Sequence, residues 1–135
     1  LRVEEYGFVG NSGGAGQFRG GMGLRRVLIP VDHECVFNGA GERFRYQPWG
    51  LFGGKPGGSG QFLIEDAEGQ RRLNDKPNEV EIKLGTKITV ETPGAGGYGP
   101  PKERNADAVA RDLNSRKYSE DFIFKNYPKS GTGGQ

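Results

Sequence analysis

The chain has little of most things that announce a chemistry. Its 135 residues include one cysteine, one histidine, one methionine and one tryptophan. Cys35 alone excludes an intrachain disulfide, and Cys35 with His33 cannot furnish the four Cys or His ligands of an ordinary zinc site. A reducing, cytoplasmic setting is therefore expected. No run approaches the roughly eighteen apolar residues of a membrane helix, and no basic-then-apolar leader opens the chain, so no membrane partner is expected. Nineteen basic and 17 acidic residues leave a net charge of only +2, too little to recruit nucleic acid through a long-range field. The first residue is Leu1, which fits a trimmed subunit or a piece of a longer protein.

What the chain has in excess is glycine. Twenty-five glycines and 8 prolines accompany an apolar fraction of 33%, a composition close to that of disordered chains. Eight Phe, 5 Tyr and one Trp, set in alternating runs, argue for a folded domain instead. The glycines fall in three clusters, 10–23 (GNSGGAGQFRGGMG), 50–60 (GLFGGKPGGSG) and 94–99 (GAGGYG), each at the edge of a strand-like run. They hold Phe18, Met22, Leu51, Phe52 and Tyr98 at fixed places, so the clusters read as architecture.

Period-two alternation gives a mainly β reading: a sandwich or barrel-like arrangement of short antiparallel strands. Residues 3–9 (VEEYGFV) place Val3, Tyr6 and Phe8 or Val9 against a core, with a bulge expected at Gly7. Residues 24–31 (LRRVLIPV) follow, and Pro30 suggests an edge or bulge. Three hairpins are expected: 34–37 with 42–46 across NGAG, 61–65 with 70–73 across DAEG, and 79–84 with 87–92 across Gly85. Beyond the glycine-rich β part, 1–103, the character changes to a helical segment, 104–128. Asn105 caps a helix with Val109, Ala110 and Leu113 on one face, Ser119 caps a second, and Pro128 stops it. Residues 129–135 (KSGTGGQ) read as a disordered tail.

Candidate chemistry thins out on inspection. Gly94, Gly96 and Gly99 satisfy GxGxxG, but Pro100 and Pro101 follow and no βαβ unit exists to place a dinucleotide. Lys55 after Gly53 and Gly54 suggests a P-loop, but Pro56 stands where Ser or Thr must bind magnesium. Asp32, His33 and Glu34 beside Cys35 read as a polar turn, because neighbouring strand residues point to opposite faces. Arg19, Arg25, Arg26, Arg43 and Arg45 lie among Phe18, Phe44 and Tyr46 as in single-stranded nucleic-acid binders. Only one RGG is present and Asp32, Glu34 and Glu42 dilute the patch, so pairing with carboxylates or a partner subunit is the stronger reading. Trp49 is read as a packing anchor on glycine-rich backbone, ahead of the alternative of a surface-exposed ring for ligand stacking.

Four segments then carry a resemblance by their order: 13–26 (GGAGQFRGGMGLRR), 42–58 (ERFRYQPWGLFGGKPGG), 91–99 (ETPGAGGYG) and 104–112 (RNADAVARD). Together they resemble the C-terminal region of the B-type component of the hydantoinase and 5-oxoprolinase family, to which acetone and acetophenone carboxylase subunits are similar. The resemblance implies a small subunit or fragment of a multi-subunit ATP-dependent enzyme, acting as scaffold. A ketone carboxylase of the acetone or acetophenone type is the preferred member, because those enzymes have more subunits. A hydantoinase- or 5-oxoprolinase-type cyclic-amide hydrolase is the alternative, and a glycine/arginine-rich binder of single-stranded nucleic acid the second.

The resemblance also implies hetero-oligomeric partners, among them an A-type ATPase subunit carrying ATP and a divalent metal, with no cofactor or metal on this chain. Its glycine-rich segments are expected to bundle as polyproline II-like strands beside a barrel-like sheet, bonding to one another. The residues expected to serve packing and interface are Gly13, Gly14, Gly16, Phe18, Arg19, Gly20, Gly21, Trp49, Gly50, Gly53, Gly54, Gly94, Gly96, Gly97, Tyr98 and Gly99. This sequence departs from the family at Gly99-Pro100-Pro101, at Gly85-Thr86 and at Lys125-Asn126-Tyr127, so no catalytic residue is carried over.

Overall fold

The computed structural model describes residues 1–128, and the expected disordered tail lies outside the described residues. Seven strands form two antiparallel sheets, followed by two helices: β1 Arg2–Phe8, β2 Leu24–Ile29, β3 Cys35–Phe37, β4 Gln61–Asp66, β5 Gly69–Arg72, β6 Val80–Ile82, β7 Lys87–Glu91, α1 Ala106–Asn114 and α2 Glu120–Asn126. The larger sheet has the order β1-β2-β7-β4-β5, and β3 pairs only with β6. The smaller sheet packs on the larger through Ile82, Ile64 and Ile88, with Phe37, Leu73, Val80 and Val90 around them. Among the described residues no barrel closes, so the sandwich form of the expected fold is the one adopted.

The β4–β5 hairpin forms where expected, with Asp66 opposite Gly69. Asp66 stabilises its own turn by accepting from the Glu68 amide at 2.9 Å, and Gly69 takes the positive φ (+113°) that the turn requires. The Arg71 guanidinium, 2.9 Å away, holds the Asp66 carboxyl below its ordinary value. The other two expected hairpins do not form. Arg43 has φ +58°, which breaks the extended run 42–46 and turns Phe44 inward onto the Phe62 ring, 4.6 Å between centroids. β6 and β7 turn at Gly85 (φ +83°) but part company: β6 crosses to β3, while β7 inserts between β2 and β4. Burial decides this, because the crossing leaves Ile82 fully buried against Ile64 and Ile88.

Three smaller expectations are corrected as well. Val3, Tyr6 and Phe8 lie on an edge strand and are exposed, with the bulge between Val3 and Glu5 and not at Gly7, which pairs regularly with Arg25. β2 is an interior strand, and Pro30 lies just beyond its end, where no ladder bond is lost. On α1, Val109 is buried and Leu113 half-buried, but Ala110 is exposed and Asp112 takes the inward position.

The helices begin as their caps dictate. Asn105 accepts from the amides of Asp107 and Ala108, and Ser119 accepts from Phe122. Ser119 is itself fixed by Asn11, whose amide oxygen accepts from the Ser119 N–H at 2.8 Å. This ties the helical segment to the first glycine cluster across 108 residues of chain.

Candidate functional site

The three glycine clusters meet beside the larger sheet and bond to one another in a cycle. The amide of Gly14 donates to Ala95 O (2.8 Å), that of Gly97 to Lys55 O (2.9 Å), and that of Lys55 to Ala15 O (2.7 Å). In these three bonds each segment donates to one neighbour and accepts from the other, and further bonds run in the reverse sense, from Leu51 N to Gly97 O and from Ala95 N to Gly21 O, each at 2.9 Å. Gly58 donates to Ser12 and Gly94 to Gly58, extending the same mesh. Extended backbone without a regular ladder has its polar groups satisfied in this way, and the segments stay extended because their partners are other segments.

Such closeness is a steric requirement on sequence. At Gly13, Gly14, Gly16, Gly20, Gly50, Gly54, Gly94, Gly96 and Gly97 the backbone of another part of the chain occupies the place a Cβ would take. Gly53 and Gly99 are required differently, by positive φ of 91° and 73°. Gly21 alone of the expected set has open space around it. The spacing of the glycines therefore records where segments cross.

The bundle has an apolar tip. Phe18 pairs with Tyr98, and Tyr98 with Leu51, each through an isolated bridge. The rings of Phe18 and Phe52 flank that of Tyr98, at 6.3 and 5.2 Å between centroids. All four side chains remain about half exposed or more. Trp49, expected to pack inward, is 63% exposed. Its carbonyl meets Gly96 while its ring lies outside, covered on one face by the Arg43 guanidinium at 4.5 Å. Backbone closeness at Gly96 leaves no room for an indole, which explains the correction.

The opposite side of the bundle is sealed by the helices. Ala15 is fully buried against Val109, Tyr118, Ile123 and Tyr127. Tyr118 donates to Gly13 O at 2.7 Å, while the Tyr127 hydroxyl accepts from Gly16 N at 3.0 Å and donates to Gly16 O at 3.3 Å. Burial pushes the pKa of both phenols above the ordinary value, since a phenolate there would lose its water. Folding therefore favours the protonated phenols. Their stabilisation is complete below the unfolded-chain value of about 10 and is lost as pH rises above it. A thermal melting series should show a midpoint insensitive to these groups up to about pH 9.5 and falling beyond it. The Tyr118→Phe/Tyr127→Phe variant should lose that alkaline decline, and an unchanged slope would refute the assignment.

Arg19 and Arg25 take the carboxylate partners expected of them. Arg19 Nε donates to Asp112 Oδ1 at 2.9 Å, and Arg104 Nη2 reaches Asp112 Oδ2 at 2.7 Å. Arg25 joins Glu91 and, at 3.1 Å, Glu5. Desolvation pulls its pKa down, but the hydrogen bonds to Glu91 and Glu5 outweigh this and leave it raised. Arg26 lies over the Tyr6 ring at 5.0 Å. His33 sits in an exposed polar turn, its Nδ1 2.6 Å from Val31 O. Among the described residues no group of three His, Cys, Asp or Glu side chains could hold a metal ion. No helix of the described residues is long and apolar enough to cross a membrane.

Sequence reasoning missed Asp112, Arg104, Tyr118 and Tyr127. For Asp112 a signal was present: it stands with Val109 and Leu113 along one side of the helix, so a carboxylate shares the apolar stripe. For the tyrosines the only signal was their place on either side of the second capped run.

Known proteins resemble this chain in sequence and in fold. The chain is 33% identical over 128 residues to the B component of a putative D-/L-hydantoinase from a Pseudomonas species, covering 93% of this chain and 20% of that protein. It is similar to the solved ATP-dependent caprolactamase from Pseudomonas jessenii, with a TM-score of 0.77 and 26% identity over 98% of this chain and 24% of that one. An acetone carboxylase structure shares the fold at TM-score 0.65 and 23% identity, over 93% of this chain and 21% of that one. The chain thus spans roughly a fifth to a quarter of the length of these relatives. The model of the hydantoinase B/oxoprolinase family matches residues 1–101, three quarters of the sequence and all three glycine clusters, and the chain belongs to that family.

Proposed function

We propose that this chain is the bundle-forming part of the B-type component of an ATP-dependent cyclic-amide hydrolase, acting as scaffold and not as the ATPase. The observation that carries this reading is the likeness to the ATP-dependent caprolactamase over nearly the whole chain. Relatives named as a hydantoinase component and as 5-oxoprolinase bear names of the same chemical kind, since hydantoin, 5-oxoproline and caprolactam are all cyclic amides. The geometry supports a scaffold, because the backbone polar groups of the bundle are spent on one another while its aromatic tip faces outward. On this reading Phe18, Leu51, Phe52 and Tyr98 dock against partner chains, and an A-type ATPase chain supplies ATP and its divalent metal.

A ketone carboxylase is the second reading, favoured by the fold shared with acetone carboxylase. The test is to isolate the complex that co-purifies with this chain and measure its ATP hydrolysis with caprolactam, hydantoin, 5-oxoproline, acetone and acetophenone. Stimulation by a cyclic amide without bicarbonate is expected. Stimulation only by a ketone with bicarbonate would favour the carboxylase instead. A native mass equal to that of the 14.7 kDa chain alone would sink the scaffold role under either chemistry.

A further inference from the structure

An open groove of about 640 Å³ runs along α1, lined by Arg19, Arg104, Arg111, Asp112, Ser115 and Lys117 among others. Four cationic side chains share it with one carboxylate. Asp112 is 96% shielded from solvent, and both of its oxygens are already engaged, one by Arg19 and one by Arg104. A single carboxylate neutralises one guanidinium, so the pair retains a positive charge.

That charge is held in place. Arg19 also donates to Gly20 O at 3.0 Å and Arg104 to Gln17 O at 3.1 Å, so neither head can swing away to water. Arg104 Nε is buried without a partner among the described residues, which leaves its donor capacity unfilled. Arg111 and Lys117 add two more charges at the rim, and the Lys117 ammonium is aimed by Ser115 Oγ at 3.1 Å. The C-terminal carbonyls of α1, which would repel an anion, are occupied: Arg111 O accepts from Ser115 N and Asp112 O from Lys117 N and Tyr118 N.

We infer that this groove binds a phosphate group, free or carried on a small monoester. Fixed guanidinium groups match the oxygens of a phosphate, and the groove's volume exceeds what the bare anion needs. The site stands on the helical segment and does not depend on which reaction the complex performs.

The test uses the full chain, or its complex, and inorganic phosphate followed by ³¹P NMR or isothermal titration, with sodium chloride matched for ionic strength. Saturable binding is expected, weakening as salt rises. Arg111→Gln should weaken it about fivefold or more while leaving the thermal midpoint unchanged, since Arg111 is exposed and its side chain makes no hydrogen bond among the described residues. Asp112→Asn, where it folds, should tighten it by removing the one negative charge. Glycerol 2-phosphate distinguishes the sources: binding tighter than phosphate assigns the groove to a monoester, and equal binding to the free anion. No saturation with tens of millimolar phosphate, or equal affinity in Arg111→Gln and the parent chain, overturns the inference.

Discussion

Gly94→Ala should cost at least about 3 kcal/mol or prevent folding, while Gly21→Ala should change stability by less than about 1 kcal/mol. Both replacements add one methyl group to a glycine-rich segment with φ outside the left-handed region, so intrinsic backbone preference does not separate them. What separates them is the crossing. A Cβ on Gly94 would overlap the carbonyl oxygen of Ser12, which accepts the Gly58 amide at 2.7 Å. Ser12 could retreat only by breaking that bond and the packing of all three segments. A Cβ on Gly21 meets nothing within 4 Å.

Denaturant titration of the three chains measures the difference directly. A loss near 3 kcal/mol is a large share of the roughly 5–15 kcal/mol that holds a domain of this size together, and it corresponds to a drop of roughly 10–20 °C in Tm. Gly20→Ala should behave like Gly94→Ala, because its Cβ would overlap Ala95 O. Equal stability of Gly94→Ala and Gly21→Ala would mean that the segments do not cross where they are placed.

Much of this architecture could be read in the sequence, and the parts that could not share a cause. Helix caps at Asn105 and Ser119 and the β4–β5 turn rest on contacts within a few residues, which a sequence displays. The glycine clusters were legible as architecture because twelve of their positions, from Gly13 to Gly97, have other backbone within 3.0 Å of where a Cβ would stand. The hairpins across 38–41 and across Gly85 failed because local turn chemistry was overruled by burial. Ile82 is worth more against Ile64 and Ile88 than in a ladder with β7, and no local signal carries that preference. Trp49 was misplaced for a related reason. Glycine does permit close approach, but at Gly96 the approaching group is the backbone of residue 49 and not its ring. Residues whose partners lie near in sequence were read correctly; Tyr118 and Tyr127, which bond to Gly13 and Gly16 from 105 and 111 residues away, were not.

Asp112→Ala should destabilise the chain by about 3–5 kcal/mol, far more than removal of the less buried Asp66. The ion triad is the reason. Asp112 is buried, and its two oxygens face two guanidinium groups of which the more buried, Arg104, has a side chain only 11% exposed. Removing the carboxylate leaves two like charges close together in a poorly solvated place, each still tied to a carbonyl of the first glycine segment. Repulsion would then act on the joint between that segment and α1, where Ala15 and Val109 share a cluster. Asp66, by contrast, pairs with the half-exposed Arg71, so water screens the charge it leaves behind, and Asp66→Ala should have only a small effect on stability. The two carboxylates differ in burial and in partners, because Asp112 faces two guanidinium groups and Asp66 one, with the Glu68 amide as its second donor. Replacing the whole triad, as in Arg19→Met/Asp112→Leu/Arg104→Met, should recover a good part of the loss, because apolar groups of similar volume leave no charge unpaired. Recovery by the triple variant together with loss in Asp112→Ala would show that the triad specifies how the helices seat on the bundle without adding greatly to net stability. A triple variant as unstable as Asp112→Ala would instead assign the arginines a stabilising contact of their own, with Gln17 and Gly20 as the places to look.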